Sequence, residues 1–183
     1  RSDYGMSIRE ASLQLGLLGF MQFVPLALLT PVAGWAADRW ERRTVARLAN
    51  SVDMLVALAL GWFTYIDGIT LPLLFLFATL HGVARVFVGP SMSAIGPNIV
   101  PPASLPRAIA LSSIAWQIGS VIGPAAGGLM FAASPSLPYW ASAALMLMAS
   151  ISLSLVRPVY PPPMEKKIHP IRQMIDGMRY TWS

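Results

Sequence analysis

Gly119-Ser120-Val121-Ile122-Gly123-Pro124-Ala125-Ala126-Gly127-Gly128 lies within a run of 49 residues, Ala108 to Val156, that carries no Asp, Glu, Lys, Arg or His. In water a segment this rich in Gly and Pro reads as a loop. In a bilayer no water satisfies the backbone N–H and C=O groups, so the same segment must be a bent, close-packed helix. The choice of solvent therefore decides the fold, and composition makes that choice. The chain is 55% hydrophobic and only 11% charged, with mean hydropathy +0.59. An ordinary soluble domain is about 25% charged. These residues cannot cover a globular surface with polar groups, and the solvent they suit is lipid.

A span takes roughly 20 apolar residues. Ala11–Ala37 offers 27 without a charge. The 49-residue run is too long for one crossing at about 1.5 Å per residue, and it folds back at Ser134-Pro135-Ser136-Leu137-Pro138. Five spans are expected: Ala11–Ala37, Thr44–Ile66, Leu71–Ile99, Arg107–Ala133 and Tyr139–Val156. The fold class is therefore all-α, a polytopic membrane helix bundle. Short connectors make each helix run antiparallel to its predecessor. That alternation collects Arg39, Arg42, Arg43, Arg47, Arg107, Arg157, Lys166, Lys167, Arg172 and Arg179 on one side, against Arg1 and Arg9 on the other. The basic side is the cytoplasmic one.

With five spans the N-terminus falls outside, which leads us to expect a missing upstream helix. Residues 1–156 then form a truncated N-terminal transmembrane bundle. Residues 157–183, opening with the Pro-rich Pro158–Pro163, form a cytoplasmic central linker towards a missing second half. The expected partners are the lipid bilayer, a small-molecule substrate and that second half of the same chain. The net charge of +5 reads as topology and not as a nucleic-acid footprint. There is no Cys, no phosphate loop and no paired carboxylate cluster, and His81 and His169 lie far apart. No catalytic residue, metal site or cofactor is expected, and the protein is not expected to be an enzyme.

Three stretches carry function. Gly34-Trp35-Ala36-Ala37-Asp38-Arg39-Trp40-Glu41-Arg42-Arg43 joins the first two spans. An Asp at a helix end and Arg residues across a short loop can latch neighbouring helices, although such a cluster also serves simply as a positive-inside anchor. In the opening stretch Gly119, Gly123 and Gly127 share one helix face, where a partner helix can approach closely, while Pro124 removes a donor and bends the helix. Generic small-residue packing gives the same face. The third stretch, Leu80 to Pro90, holds His81 and Arg85 one turn apart.

The first stretch resembles the signature loop of the major facilitator superfamily, Gly-x-x-x-Asp-Arg-x-Gly-Arg-Arg, through Gly34, Asp38, Arg39, Arg42 and Arg43; Glu41 replaces the usual Gly. The second is similar to that superfamily's antiporter motif, Gly-x-x-x-Gly-Pro-x-x-Gly-Gly, through Gly119, Gly123, Pro124, Gly127 and Gly128. Arg85 and Gly89, with Pro90-Ser91-Met92 and Leu105-Pro106-Arg107, resemble the drug- and siderophore-exporter branch that includes enterobactin and macrolide exporters. The resemblance implies a partial major facilitator fold, helices two to six of twelve. It implies proton-coupled efflux of a small organic solute by alternating access, in the inner membrane of a bacterium, with the proton gradient as driving force. An importer or facilitator of the same superfamily, or a non-transporting membrane scaffold, is the alternative.

Asp53, His81 and Arg85 are the titratable groups well inside the spans. A charge at mid-bilayer costs at least about 2.5–3.5 kcal/mol, so each needs a partner or a wet cavity. Asp53 is a candidate proton carrier modulated by Arg85, or else the two form a fixed tie between helices. His81 is a candidate relay, or a satisfied packing residue. Gln117, Trp116 and Met92 are candidate cavity residues. Trp140 and Tyr139 have the character of interfacial anchors.

Overall fold

The computed structural model describes residues 7–156. The elements are α1 (Ile8–Arg39), α2 (Arg42–Tyr65), α3 (Leu71–Ile99), a 3₁₀ turn (Pro102–Ser104), α4 (Leu105–Ala133) and α5 (Leu137–Leu155). All five α-helices are long and apolar enough to cross a membrane. The expected linker 157–183 lies outside the described residues.

Local chemistry sets the helix ends. Ser7 opens α1 with a capping box: its hydroxyl accepts from the Glu10 amide, and the Glu10 carboxylate accepts from the Ser7 amide. The α2–α3 turn passes through Asp67 at φ 52, a left-handed position that a short polar side chain tolerates, and Gly68 N–H donates to Phe63 O at 2.8 Å. Pro72, Pro106 and Pro138 each sit in a first helical turn, where no N–H is needed. The fold-back expected at Ser134–Pro138 is tighter than that: α4 ends at Ala133 and α5 already starts at Leu137.

The Asp38–Arg43 loop is shorter still. Asp38 and Arg39 complete α1 and Arg42 opens α2, leaving only Trp40 and Glu41 between the helices. Glu41 explains how the chain turns without the usual glycine. It is the N-cap of α2 at φ −62, with no left-handed residue required. Its carboxylate accepts from the Arg43 and Thr44 amides at 3.1 and 2.9 Å, and from the Thr44 hydroxyl.

Packing follows an order that is not the chain order. α1 packs on α3, α3 on α2, and α2 on α5, whereas the consecutive pair α1 and α2 barely touch. α2 is central because one face of it is small and apolar: Val45, Ala46, Ala49, Val56, Ala57 and Gly61 are buried at helical spacing. At the basic end, Ala46, Ile95 and Leu153 bring together the start of α2 and the ends of α3 and α5. Arg43 Nη1 donates to Val156 O at 2.7 Å there, placing a cation on the last carbonyls of α5. At the opposite end the Trp140 ring covers Gly61, where a Cβ would lie 3.1 Å from the indole.

α4 stands apart. None of its residues is buried, and it touches α3 and α5 only lightly. The expected close approach at its glycine face is absent among the described residues: nothing lies within 4 Å of a Cβ built on Gly119, Gly123, Gly127 or Gly128. The tight crossing falls on α3 instead. A Cβ on Gly82 would sit 2.7 Å from Gln22 O, so α1 and α3 meet backbone to backbone. The reason is helix order: α1 needs a gap on α3, and α4 has no neighbour pressed against its small face.

Candidate functional site

Asp53 is the twelfth of the 24 residues of α2, at mid-depth in the bundle, and it is the one buried carboxylate among the described residues. The small residues around it on α2 let α3 approach, and this brings His81 to it. Asp53 Oδ1 and His81 Nδ1 are 2.6 Å apart. The pairing differs from the Asp53–Arg85 tie expected from the sequence. His81 and Arg85 are one turn apart on α3, so either could face α2, and the closest approach falls on the turn that carries His81. Arg85 makes no ion pair among the described residues and is solvent-accessible. A guanidinium at the fifteenth of 29 helix positions needs polar surroundings, and it has them in a cavity.

That cavity, about 800 Å³, lies between α2, α3 and α4 in the basic half of the bundle. Asp53, Arg85 and Asn50 supply charge and hydrogen-bonding capacity; Met92, Ile109 and Trp116 supply apolar wall. The size and the mix of apolar wall with a few polar groups suit a drug-sized organic molecule. Met92 and Trp116 line this cavity, whereas Gln117 is absent from its lining.

A second cavity of about 320 Å³ lies in the opposite half, between α1, α2, α3 and α5. Its polar lining is Gln22, Asp53, His81, Tyr139 and Ser142. Asp53 lines both cavities, His81 only the second and Arg85 not the second. Sequence reasoning missed Asn50, whose Nδ2 donates to Met146 O at 2.8 Å and to Ser150 Oγ at 2.7 Å, fixing α2 on α5 beside the larger cavity. A polar amide one turn before Asp53 on an otherwise apolar face was the available signal.

At the basic end the Arg39 guanidinium lies 4.9 Å over the Trp35 ring, and Trp35 meets Trp40 edge-on. Arg43 reaches Glu41 at 3.6 Å as well as the end of α5. Gly34 lies inside α1 with open space beside it, Arg42 has a partner, and the Asp38 side chain lies outside what is described. The charged loop therefore joins three helix ends: the end of α1, the start of α2 and the end of α5.

Residues 1–175 match the family described as Major Facilitator Superfamily. The chain belongs to that superfamily. Among curated relatives it is 31% identical over 119 residues to the Staphyloferrin A transporter of Staphylococcus aureus, covering 64% of this chain and 30% of that protein. It is 28% identical over 171 residues to the Enterobactin exporter EntS of Shigella boydii, covering 93% of this chain and 40% of that protein. It is 28% identical over 124 residues to Multidrug resistance protein 1 of Bacillus subtilis, covering 68% of this chain and 31% of that protein. The matches to these relatives span 30% to 40% of their lengths. Family membership and five spanning helices make this an integral, multi-pass membrane protein of a transporter family and not an enzyme. The partial major facilitator fold and the siderophore- and drug-exporter likeness stand as read from the motifs.

Proposed function

We propose that this chain is the substrate-loading half of a secondary transporter that exports a small organic solute of drug or siderophore type by alternating access, in exchange for protons. The observation that carries the reading is the mid-depth Asp53 carboxylate, buried against His81 and facing a drug-sized cavity at the basic, cytoplasmic end. A cavity on that side accepts solute from the cell. Substrate donors and a proton compete for the same carboxylate, and competition at one group is what exchange requires. Arg85 lines the same cavity and supplies a fixed positive charge to it. The printed name of one relative, Enterobactin exporter EntS, supports the direction, and that of another, Multidrug resistance protein 1, supports the drug-type solute class. On this reading residues 157–183 lead to a second half that closes the cavity, the membrane is the inner membrane of a bacterium, and the proton gradient is the only cofactor-like requirement.

Full-length protein in proteoliposomes tests it, with ethidium and a catecholate chelator as probe solutes. A pH gradient should drive either probe uphill, and Asp53→Asn should lower that uphill flux by roughly 100-fold or more, the range expected for a lost proton-transfer group. Uphill transport that survives in Asp53→Asn would sink the coupling role. Flux in the opposite direction would make the protein an importer.

A further inference from the structure

The two cavities meet at a single side chain. Leu18 in the first half of α1, Leu60 near the end of α2, Leu74 at the start of α3 and Tyr139 at the start of α5 place the smaller cavity in the half away from the basic loops. Leu105, Ile109 and Met92 place the larger one in the basic half. Asp53 lines both.

We infer that the smaller cavity is the proton-access site of the transporter: water in it, held by Gln22, Tyr139 and Ser142, delivers a proton from outside to His81, which relays it to Asp53. Substrate and proton then reach Asp53 from opposite faces. This rests on the proposed transport function and adds the route and the relay residue to it.

With Asp53 ionised and His81 neutral, the ring donates its Nδ1 hydrogen to Asp53 Oδ1 across 2.6 Å. Hydronium in the smaller cavity adds a proton to Nε2, the ring nitrogen that Asp53 does not engage. The imidazolium then passes its Nδ1 proton to Oδ1, leaving a neutral carboxylic acid and the other neutral tautomer of the ring. One proton has moved from the smaller cavity to a carboxyl group that faces the larger one. Substrate donors held by the carboxylate lose their ionic partner, so the solute is released once alternating access has turned the larger cavity outward; the proton leaves Asp53 to the cytoplasm when that cavity faces inward again.

The charged and titratable groups around His81 support this direction. α2 supplies Asp53 and α5 supplies the Tyr139 hydroxyl. α1 supplies only the uncharged Gln22. On α3 itself Arg85 lies one turn away and lines the larger cavity. α4 brings no titratable side chain to either cavity. No cation lines the smaller cavity to repel an incoming proton; Arg85 lines the larger cavity, and shares with Gln22 a third, smaller pocket between α1 and α3.

Two measurements on the full-length protein test the inference. These 183 residues contain no Cys; with any cysteine elsewhere in the full-length protein replaced by Ser, a single introduced thiol reports alone, and that Cys-free protein is the blank. A membrane-impermeant maleimide should label Ser142→Cys from the outside and Ser112→Cys from the cytoplasmic side. Ser142→Cys reacting only from the cytoplasmic side, or Ser142→Cys silent while Ser112→Cys reacts, overturns the access site. In proteoliposomes, uphill ethidium flux should rise as the pH of the compartment facing the smaller cavity falls from about 8 to about 6. His81→Gln, which keeps a hydrogen-bond donor for Asp53, should flatten that pH profile and lower uphill flux roughly tenfold or more. A purely packing role for His81 leaves the profile unchanged and overturns the relay. If the parent protein moves no probe at all, the transport reading fails, and the two-sided labelling still decides whether the cavities open to opposite faces.

Discussion

Gly82 and Gly123 look alike in sequence, since each is a helical glycine within an apolar run. Their surroundings are opposite. A methyl on Gly82 would meet a backbone carbonyl of α1 at 2.7 Å, and backbone cannot rotate aside as a side chain can. Gly82→Ala is expected to destabilise the protein by about 1–3 kcal/mol, read as a lowered Tm in detergent. Gly123→Ala adds a methyl to open space and is expected to stay within about 0.5 kcal/mol of the parent. A Gly123→Ala protein that melts as low as Gly82→Ala would assign the α4 glycine face a neighbour beyond these five helices. Glu41 carries a comparable lesson. It interrupts the family motif, yet its carboxylate caps α2 with two backbone amides. Glu41→Ala should cost about 1 kcal/mol, and Glu41→Gly, which restores the motif residue, should also lower the Tm because it removes the carboxylate.

The elements were readable because spans declare themselves through length and hydropathy, and the five expected spans each overlap an observed helix. α3 matches at both ends, Leu71 and Ile99. α4 ends as expected at Ala133, and the other ends differ by one to three residues, where capping and not hydropathy decides: capped by Ser7, α1 starts at Ile8, three residues before the apolar run, and capped by Glu41, α2 starts inside the charged loop. Pairing between elements was less readable. Short loops dictate direction but not contact, and α2 lies against α3 and α5 because its small face is complementary to both. Two polar ties hold the α2–α5 pair, Asn50 on Met146 and Ser150, and Arg43 on Val156. Asn50→Leu should weaken it by about 0.6–2 kcal/mol, the range for hydrogen bonds between membrane helices, measured as faster proteolysis or a lower Tm. Arg43→Gln should free the end of α5 and be seen as greater thiol reactivity of a cysteine placed at Val156.

At the scale of the whole molecule, the apolar residues turned outwards are the lipid-facing surface of a membrane protein: Leu28, Leu129 and Leu155 are all more than two-thirds exposed. Transfer from detergent to lipid should therefore raise the Tm, and a water-soluble monomer should not form. The bundle divides polarity by depth: the guanidinium cluster lies at one end, a carboxylate–imidazole pair at the middle, and a cavity on each side of it. If Asp53 is the meeting point of proton and solute, raising the proton concentration on the outer side should weaken solute binding from the inner side. Equilibrium binding of ethidium at two external pH values measures that linkage.

Sequence alone determined the solvent, the number of spans, the basic end and the family, because each of these is a sum over many residues and survives local error. Motif spacing carried the superfamily, since Asp38 to Arg43 and Gly119 to Gly128 keep their residue types wherever the helices later pack. Tertiary structure alone decided which residues meet. It gave Asp53 to His81 and left Arg85 to the cavity, and it placed the tight helix crossing at Gly82 and not at Gly119 to Gly128. The physical reason is common to both outcomes. Two side chains one turn apart on α3 have the same periodicity, and glycines on two helices have the same composition, so only the rotation and order of neighbouring helices separate one choice from the other.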